Sequence, residues 1–155
     1  MLYRSRRYHD ATVACRKAVE LDPYYPVGHW FLGLIHMQTN ELEEAIAELT
    51  KAVGLSDAPL YRALLGYSHG LSGDRVKSLS ILPDLNALSQ QRYVSPLDVA
   101  VVHTGIGDRD SAFEWLEKAY QERTMRIQEL PDPIFDSLRL DARFPDLMRR
   151  IGLPI

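Results

Sequence analysis

The pentapeptide Gly66-Tyr67-Ser68-His69-Gly70 spells G-x-S-x-G, the spacing that lifts a nucleophilic serine onto a strained strand-to-helix turn in α/β hydrolases. Asp98 and His103 follow it, in the order in which that fold supplies its acid and its base. The surroundings do not supply the elbow. LYRAL, just before the motif, reads as helix, and nowhere does the chain show a parallel-sheet pattern. A serine inside a regular helix is not held beside an oxyanion hole, so a serine hydrolase at Ser68 is only a remote alternative.

Histidine offers the second chemistry, because His36, His69 and His103 recur at corresponding places. A column of imidazoles suggests metal binding or pH sensing. Corresponding residues on adjacent packed helices stand about 8–10 Å apart at the backbone, which is awkward for a shared tetrahedral ion. The expected role is an amphipathic ring packed between helices. His9 and His29 complete no H-E-x-x-H, and neither a P-loop nor a strand-linked G-x-G-x-x-G occurs. The acids Glu41, Glu43, Glu44, Asp108 and Asp110 gather at helix starts, where they offset the helix dipole. No catalytic, cofactor-binding or metal-binding residue is expected.

Composition narrows the partners further. With 155 residues, 46% hydrophobic and 25% charged, the chain is in the range of one domain that buries its own core. Eighteen basic against 21 acidic residues give a net charge of -3, too little positive charge to hold a phosphate backbone or an anionic bilayer. Nucleic acid and membrane are therefore not expected partners. Cys15, the single cysteine, rules out an internal disulfide, and no stretch has the length of a membrane span or the apolar core of a secretory signal. The expected location is the cytoplasm.

The elements that would carry a site come from an internal repeat. Ala11, Lys17, Ala18, Val19 and Leu21 are matched 34 residues later by Ala45, Lys51, Ala52, Val53 and Leu55. Ser78 and Ala112 then take the place of Ala45, giving steps of 34, 33 and 34, while Leu85 and Ala119 take that of Ala52. Gly33, Gly66 and Ala100 stand in register in the preceding segments. Apolar spacing predicts helices over Val27 to Gln38, Leu42 to Val53, Leu60 to Leu71 and Ala112 to Tyr120. Asn40, Gly73 and Gly107 break the chain inside units; Asp22-Pro23, Ser56-Asp57 and Ser95-Pro96 break it between them. Short links of this kind make neighbouring helices antiparallel.

The period and the small residues at Gly33, Ala45 and Ala52, with Ala11, Ala18 and Pro23 before them and Gly107, Ala112 and Ala119 after, resemble the tetratricopeptide repeat from about Tyr8 to Gln121. The resemblance implies an all-α, right-handed solenoid of antiparallel hairpins with a C-terminal capping helix. It divides the chain into a partial unit over 1–23, units over 26–56, 59–89 and 93–122, and a cap over 131–155. It also implies a non-catalytic scaffold that binds a protein or peptide on the concave face of the first helices. Family geometry turns Trp30, Leu34, Met37 and Gln38 toward that face, then Ala63, Tyr67 and Leu71, then Leu97, Val101 and Thr104. Lysines and asparagines that clamp an acidic carboxyl terminus are not among them. The stretch from Tyr93 onward is similar to the closing region of tetratricopeptide domains in bacterial signalling and regulatory proteins, and the start inside a unit suggests the carboxyl-terminal part of a longer protein.

The groove has three expected occupants: a partner, the chain's own tail, or a second copy, in which case the domain self-associates as a regulatory module. Two departures point to irregularity. Pro83 falls inside a second helix, where a kink or break is expected, and the linker over Ser89 to Ser95 is longer than its counterparts. In the tail, Asp132 and Asp141 are placed to cap a short turn from Pro133 and a final helix ended by Gly152 and Pro154. Phe135, Leu138, Phe144, Leu147 and Ile151 give that tail an apolar face suited to closing the last unit.

Overall fold

Most helices begin at a proline or just after an acid, and those ending at Gln38, Leu71, Gly105, Gln121 and Arg150 close on a residue of positive φ. The computed structural model describes residues 8–154, so residues 1–7 of the partial unit and residue 155 of the cap lie outside the described residues. Among the described residues are eight α-helices: α1 Tyr8–Leu21, α2 Pro26–Gln38, α3 Leu42–Leu55, α4 Pro59–Leu71, α5 Arg75–Ser89, α6 Pro96–Gly105, α7 Arg109–Gln121 and α8 Arg143–Arg150. Two 3-10 turns, η1 Met125–Glu129 and η2 Pro133–Leu138, precede α8, and the described residues contain no strand. Pro26, Pro59 and Pro96 occupy the first turns of α2, α4 and α6, where a missing N–H costs nothing.

Each hairpin turns in the same way. Asn40, Gly73 and Gly107 have φ of 62°, 86° and 75°, and the next amide, of Glu41, Asp74 or Asp108, donates to the carbonyl of His36, His69 or His103 at 2.8, 2.9 and 3.0 Å. This is the Schellman closure of a helix end, and it aims the following helix back along the one before. Asp74 and Asp108 then cap α5 and α7 by accepting from the Lys77 and Ser111 amides at 3.0 and 3.2 Å.

The hairpins α2/α3, α4/α5 and α6/α7 stack behind α1, and the repeated small residues are where they touch. Ala45, Ala52, Ala112 and Ala119 have no exposed surface, and Ser78 has none either. A Cβ added to Gly33 would stand 2.5 Å from Leu49 Cγ, so the gap there fits hydrogen alone. α4 and α6 approach backbone to backbone: a Cβ on Gly70 would lie 2.5 Å from the Gly105 carbonyl carbon, and one on Gly105 would lie 2.6 Å from the Tyr67 backbone. α6 thereby packs broadly on α4 but only lightly on α5.

Pro83 does not break its helix, so of the kink or break expected from the sequence the break does not occur. α5 runs continuously from Arg75 to Ser89 because Pro83 is on its exposed side, where the Leu79 carbonyl that loses its helix partner can turn to water. The linker over 90–95 is longer than those over 22–25 and 56–58, as expected.

The tail closes the stack. Asp141 accepts from the Arg143 amide at 3.0 Å, α8 begins at Arg143, and Gly152, with φ of 77°, ends it. Arg150 grips Glu117 of α7 through both terminal nitrogens at 2.9 and 2.5 Å and lies over the Tyr120 ring. Arg143 reaches Asp110 at 2.9 Å across the Phe113 ring. Phe144, Leu147 and Met148 are buried beneath these ion pairs.

Candidate functional site

The inner layer of first helices, α2, α4 and α6, is the expected binding face, and the structure divides it into two unlike halves. Leu34, Met37, Ala63, Tyr67, Leu97, Val101 and Thr104 are all at most 7% exposed. Trp30 and Gln38 are half-buried, and Leu71 is exposed. The seven buried positions are therefore core, a correction to the placement of all ten on an open groove. α6 shows the physical reason: it is enclosed by α4, α7 and the 3-10 turn η2, so Leu97, Val101 and Thr104 have no free face.

The chain's own tail fills the carboxyl-terminal half of this layer. Arg126 of η1 donates from Nη1 to Asp98 of α6 at 2.6 Å, and from Nε and Nη2 to Glu129 at 3.0 and 2.9 Å. Asp98 is 2% exposed, and its burial pushes the carboxyl above the usual carboxylate range while Arg126 draws it back. Tyr93 and Thr124 bond through their hydroxyls at 3.1 Å, fixing the start of the tail. Burial pushes the Tyr67 phenol up to about 12, with the Asp136 carboxylate of η2 adding to the effect. Leu130, Phe135 and Leu138 are fully buried, each worth about 2 kcal/mol against exposure. A segment held this firmly is a fixed part of the fold.

The amino-terminal half presents Trp30. Its ring lies 4.4 Å from the Phe31 centroid and 5.6 Å from that of Tyr61, and its Nε1 is buried with no hydrogen-bond partner among the described residues. A buried indole N–H without an acceptor is costly unless something supplies one.

The other sequence candidates are used locally. Ser68 is fully buried in the middle of α4 and donates to the Leu64 carbonyl at 2.9 Å, so its oxygen is neither presented nor activated. His36 Nδ1 lies 2.7 Å from Glu41, and His103 Nδ1 lies 3.4 Å from Asp108. Each ring thus faces the acid at the start of its partner helix. Burial lowers the His69 pKa, and Asp74 pulls it up. His29, buried in α2, contacts Glu48 of α3 at 2.5 Å and the Pro23 carbonyl at 2.9 Å. Among the described residues no three histidine, cysteine or acidic side chains converge as a metal-ligand group, and no helix is long and apolar enough to cross a membrane.

Sequence reasoning missed the Arg126–Asp98 lock, whose one legible signal was an acid in the first turn of an otherwise apolar helix. It also missed a cavity of about 490 Å³ bounded by α5, α6 and α7, at the joint where the long linker and Pro83 announced irregularity.

No curated protein and no solved structure matches the chain. Over residues 2–66 the chain matches the family model of the tetratricopeptide repeat, a repeat that mediates protein–protein interaction, and the hairpins from Pro59 to Gln121 continue the same helical stack.

Proposed function

We propose that the chain is a non-catalytic scaffold that binds a protein or peptide at the amino-terminal half of its inner helix layer, centred on Trp30. One observation carries this reading: a half-buried indole, stacked on Phe31 and Tyr61, keeps an N–H that the described residues leave without an acceptor. Because that N–H is itself buried, a peptide carbonyl accepts it only by displacing the side chains that cover it, while Gln38 and Leu71 stay reachable at the other ends of α2 and α4. The carboxyl-terminal half supports the same reading, since the stack holds its own tail there through an arginine–carboxylate pair and buried apolar side chains. The setting that the closing region suggests is a bacterial regulatory protein of the cytoplasm. The serine hydrolase reading loses its nucleophile, because Ser68 is spent within α4.

The test is a peptide selected for binding to the intact domain, measured against Trp30→Phe. That change keeps an aromatic ring but removes the N–H together with part of the indole, so a small loss of thermal stability is expected beside a fall in affinity of about 1–2 kcal/mol. Unchanged affinity in both Trp30→Phe and Leu71→Arg would remove this face from consideration. A second reading, self-association through the same face, predicts instead that Leu71→Arg converts a dimer into a monomer in sedimentation.

A further inference from the structure

The cavity at the α5–α6–α7 joint is not used by the proposed interface, and its lining is graded in exposure. Leu85 and Pro96 are buried, Leu82, Val94, Val99 and Trp115 are half-buried, and Asn86, Ser89 and His103, whose Nδ1 is buried without a hydrogen-bond partner among the described residues, add polar groups to the lining. Lys118 in the last turn of α7 and Glu122 just past its end are exposed along the lining. The space, about 490 Å³, is in the range of small-molecule sites, which are apolar within and carry a few polar groups that set orientation. Its origin is structural. α6 is drawn onto α4 by the Gly70–Gly105 contact, and the six-residue linker lets α5 stand off from it.

The two charged groups decide the ligand. Lys118 Nζ lies 4.7 Å above the Trp115 ring and forms a long ion pair with Glu122 Oε1 at 4.0 Å, without a hydrogen bond between them, so each keeps hydrogen-bonding capacity for a guest. A simple anion would meet Glu122, and a simple cation would meet Lys118. A head group carrying both charges satisfies both sides, with its carboxylate toward Lys118 and its ammonium toward Glu122. We infer that this cavity binds a free apolar or aromatic α-amino acid, its side chain among Leu82, Val99 and Trp115 and its zwitterionic head between Lys118 and Glu122.

The test follows Trp115 emission in a Trp30→Phe background, leaving one tryptophan, during titration with L-phenylalanine. Three analogues accompany it: N-acetyl-L-phenylalanine without the ammonium, L-phenylalanine amide without the carboxylate, and benzyl alcohol with neither. L-Phenylalanine is expected to bind saturably with a dissociation constant on the order of 0.1–1 mM. Each analogue is expected to bind roughly fivefold or more weakly, as are the exposed-site variants Lys118→Met and Glu122→Gln toward the amino acid itself. Val99→Phe, which adds bulk to the lining, is expected to abolish the response. The Lys118 and Glu122 variants carry the test should Val99→Phe fail to fold. No saturable response to L-phenylalanine, equal responses to all four compounds, or undiminished affinity in both Lys118→Met and Glu122→Gln would overturn the assignment.

Discussion

His36 Nδ1 stands 2.7 Å from the Glu41 carboxylate, five residues on and across the α2/α3 turn, while the His36 carbonyl accepts the Glu41 amide at 2.8 Å. One residue thus ties the turn by side chain and by backbone at once. The backbone half recurs at His69–Asp74 and His103–Asp108, whereas the side-chain half does not: His103 Nδ1 stands 3.4 Å from Asp108 without a hydrogen bond, and His69 feels Asp74 through charge alone. What the histidine column shares is the backbone closure of its turns.

Hydrogen bonds from Thr39 and His36 hold Glu41 below the usual carboxylate range. The folded pKa is below the unfolded one, so this stabilisation is complete above about pH 4.3 and is lost as pH falls through the folded value. Thermal melts of Glu41→Gln are expected to show a shallower decline below that pH than the parent. Equal slopes would mean the turn bond contributes nothing.

Packing at glycine separates two substitutions that look alike in sequence. Gly70→Ala puts a methyl 2.5 Å from the backbone of α6 and is expected to destabilise by about 1–3 kcal/mol or more. Gly54 is in α3 with open space where a Cβ would go, so Gly54→Ala is expected to stabilise by about 0.5–1 kcal/mol. Urea unfolding of both variants is the check, and the same sign for both would contradict the crossing geometry.

Much of the fold was legible because each hairpin repeats one physical problem. Ala45, Ala52, Ala112 and Ala119 mark helix contacts wherever they occur, and Asn40, Gly73 and Gly107 mark turns that need positive φ. The binding face was less legible, since family geometry assigns Leu97, Val101 and Thr104 to a groove but is blind to a tail that arrives from outside the repeat. Phe135 and Leu138 announced an apolar face, yet not that it would lie against α6. The cavity depends on how far α5 stands off from α6, which the long linker permits but does not specify.

The tail contact is open to a spectroscopic test. Burial pushes the Tyr67 phenol up to about 12, with the Asp136 carboxylate of η2 adding to the effect, so a late step is expected in an alkaline titration. Phe135→Ala, loosening η2, is expected to cost about 3–5 kcal/mol and to bring that late step down toward pH 10. Absorbance at high pH follows it, with Tyr67→Phe assigning the step. A late step that survives Phe135→Ala would show that the tail does not shield Tyr67.

Asp98 and Arg126 make the sharpest energetic case, because one partner is 3% exposed and the other 27%. Arg126→Ala strands a carboxylate in a place that has already raised its pKa, and a cost of about 3–5 kcal/mol is expected at neutral pH. A carboxyl with its folded pKa above its unfolded one binds its proton more tightly when folded, so the penalty in Arg126→Ala shrinks as pH falls through that folded value. Asp98→Asn in the same chain removes the stranded charge and is expected to restore most of the loss at pH 7. Denaturant melts of the two single variants and the double variant at pH 7 and pH 5 provide the cycle. Additive losses with no pH dependence would mean that the pair is solvated, and that the tail is held by Phe135 and its apolar neighbours alone.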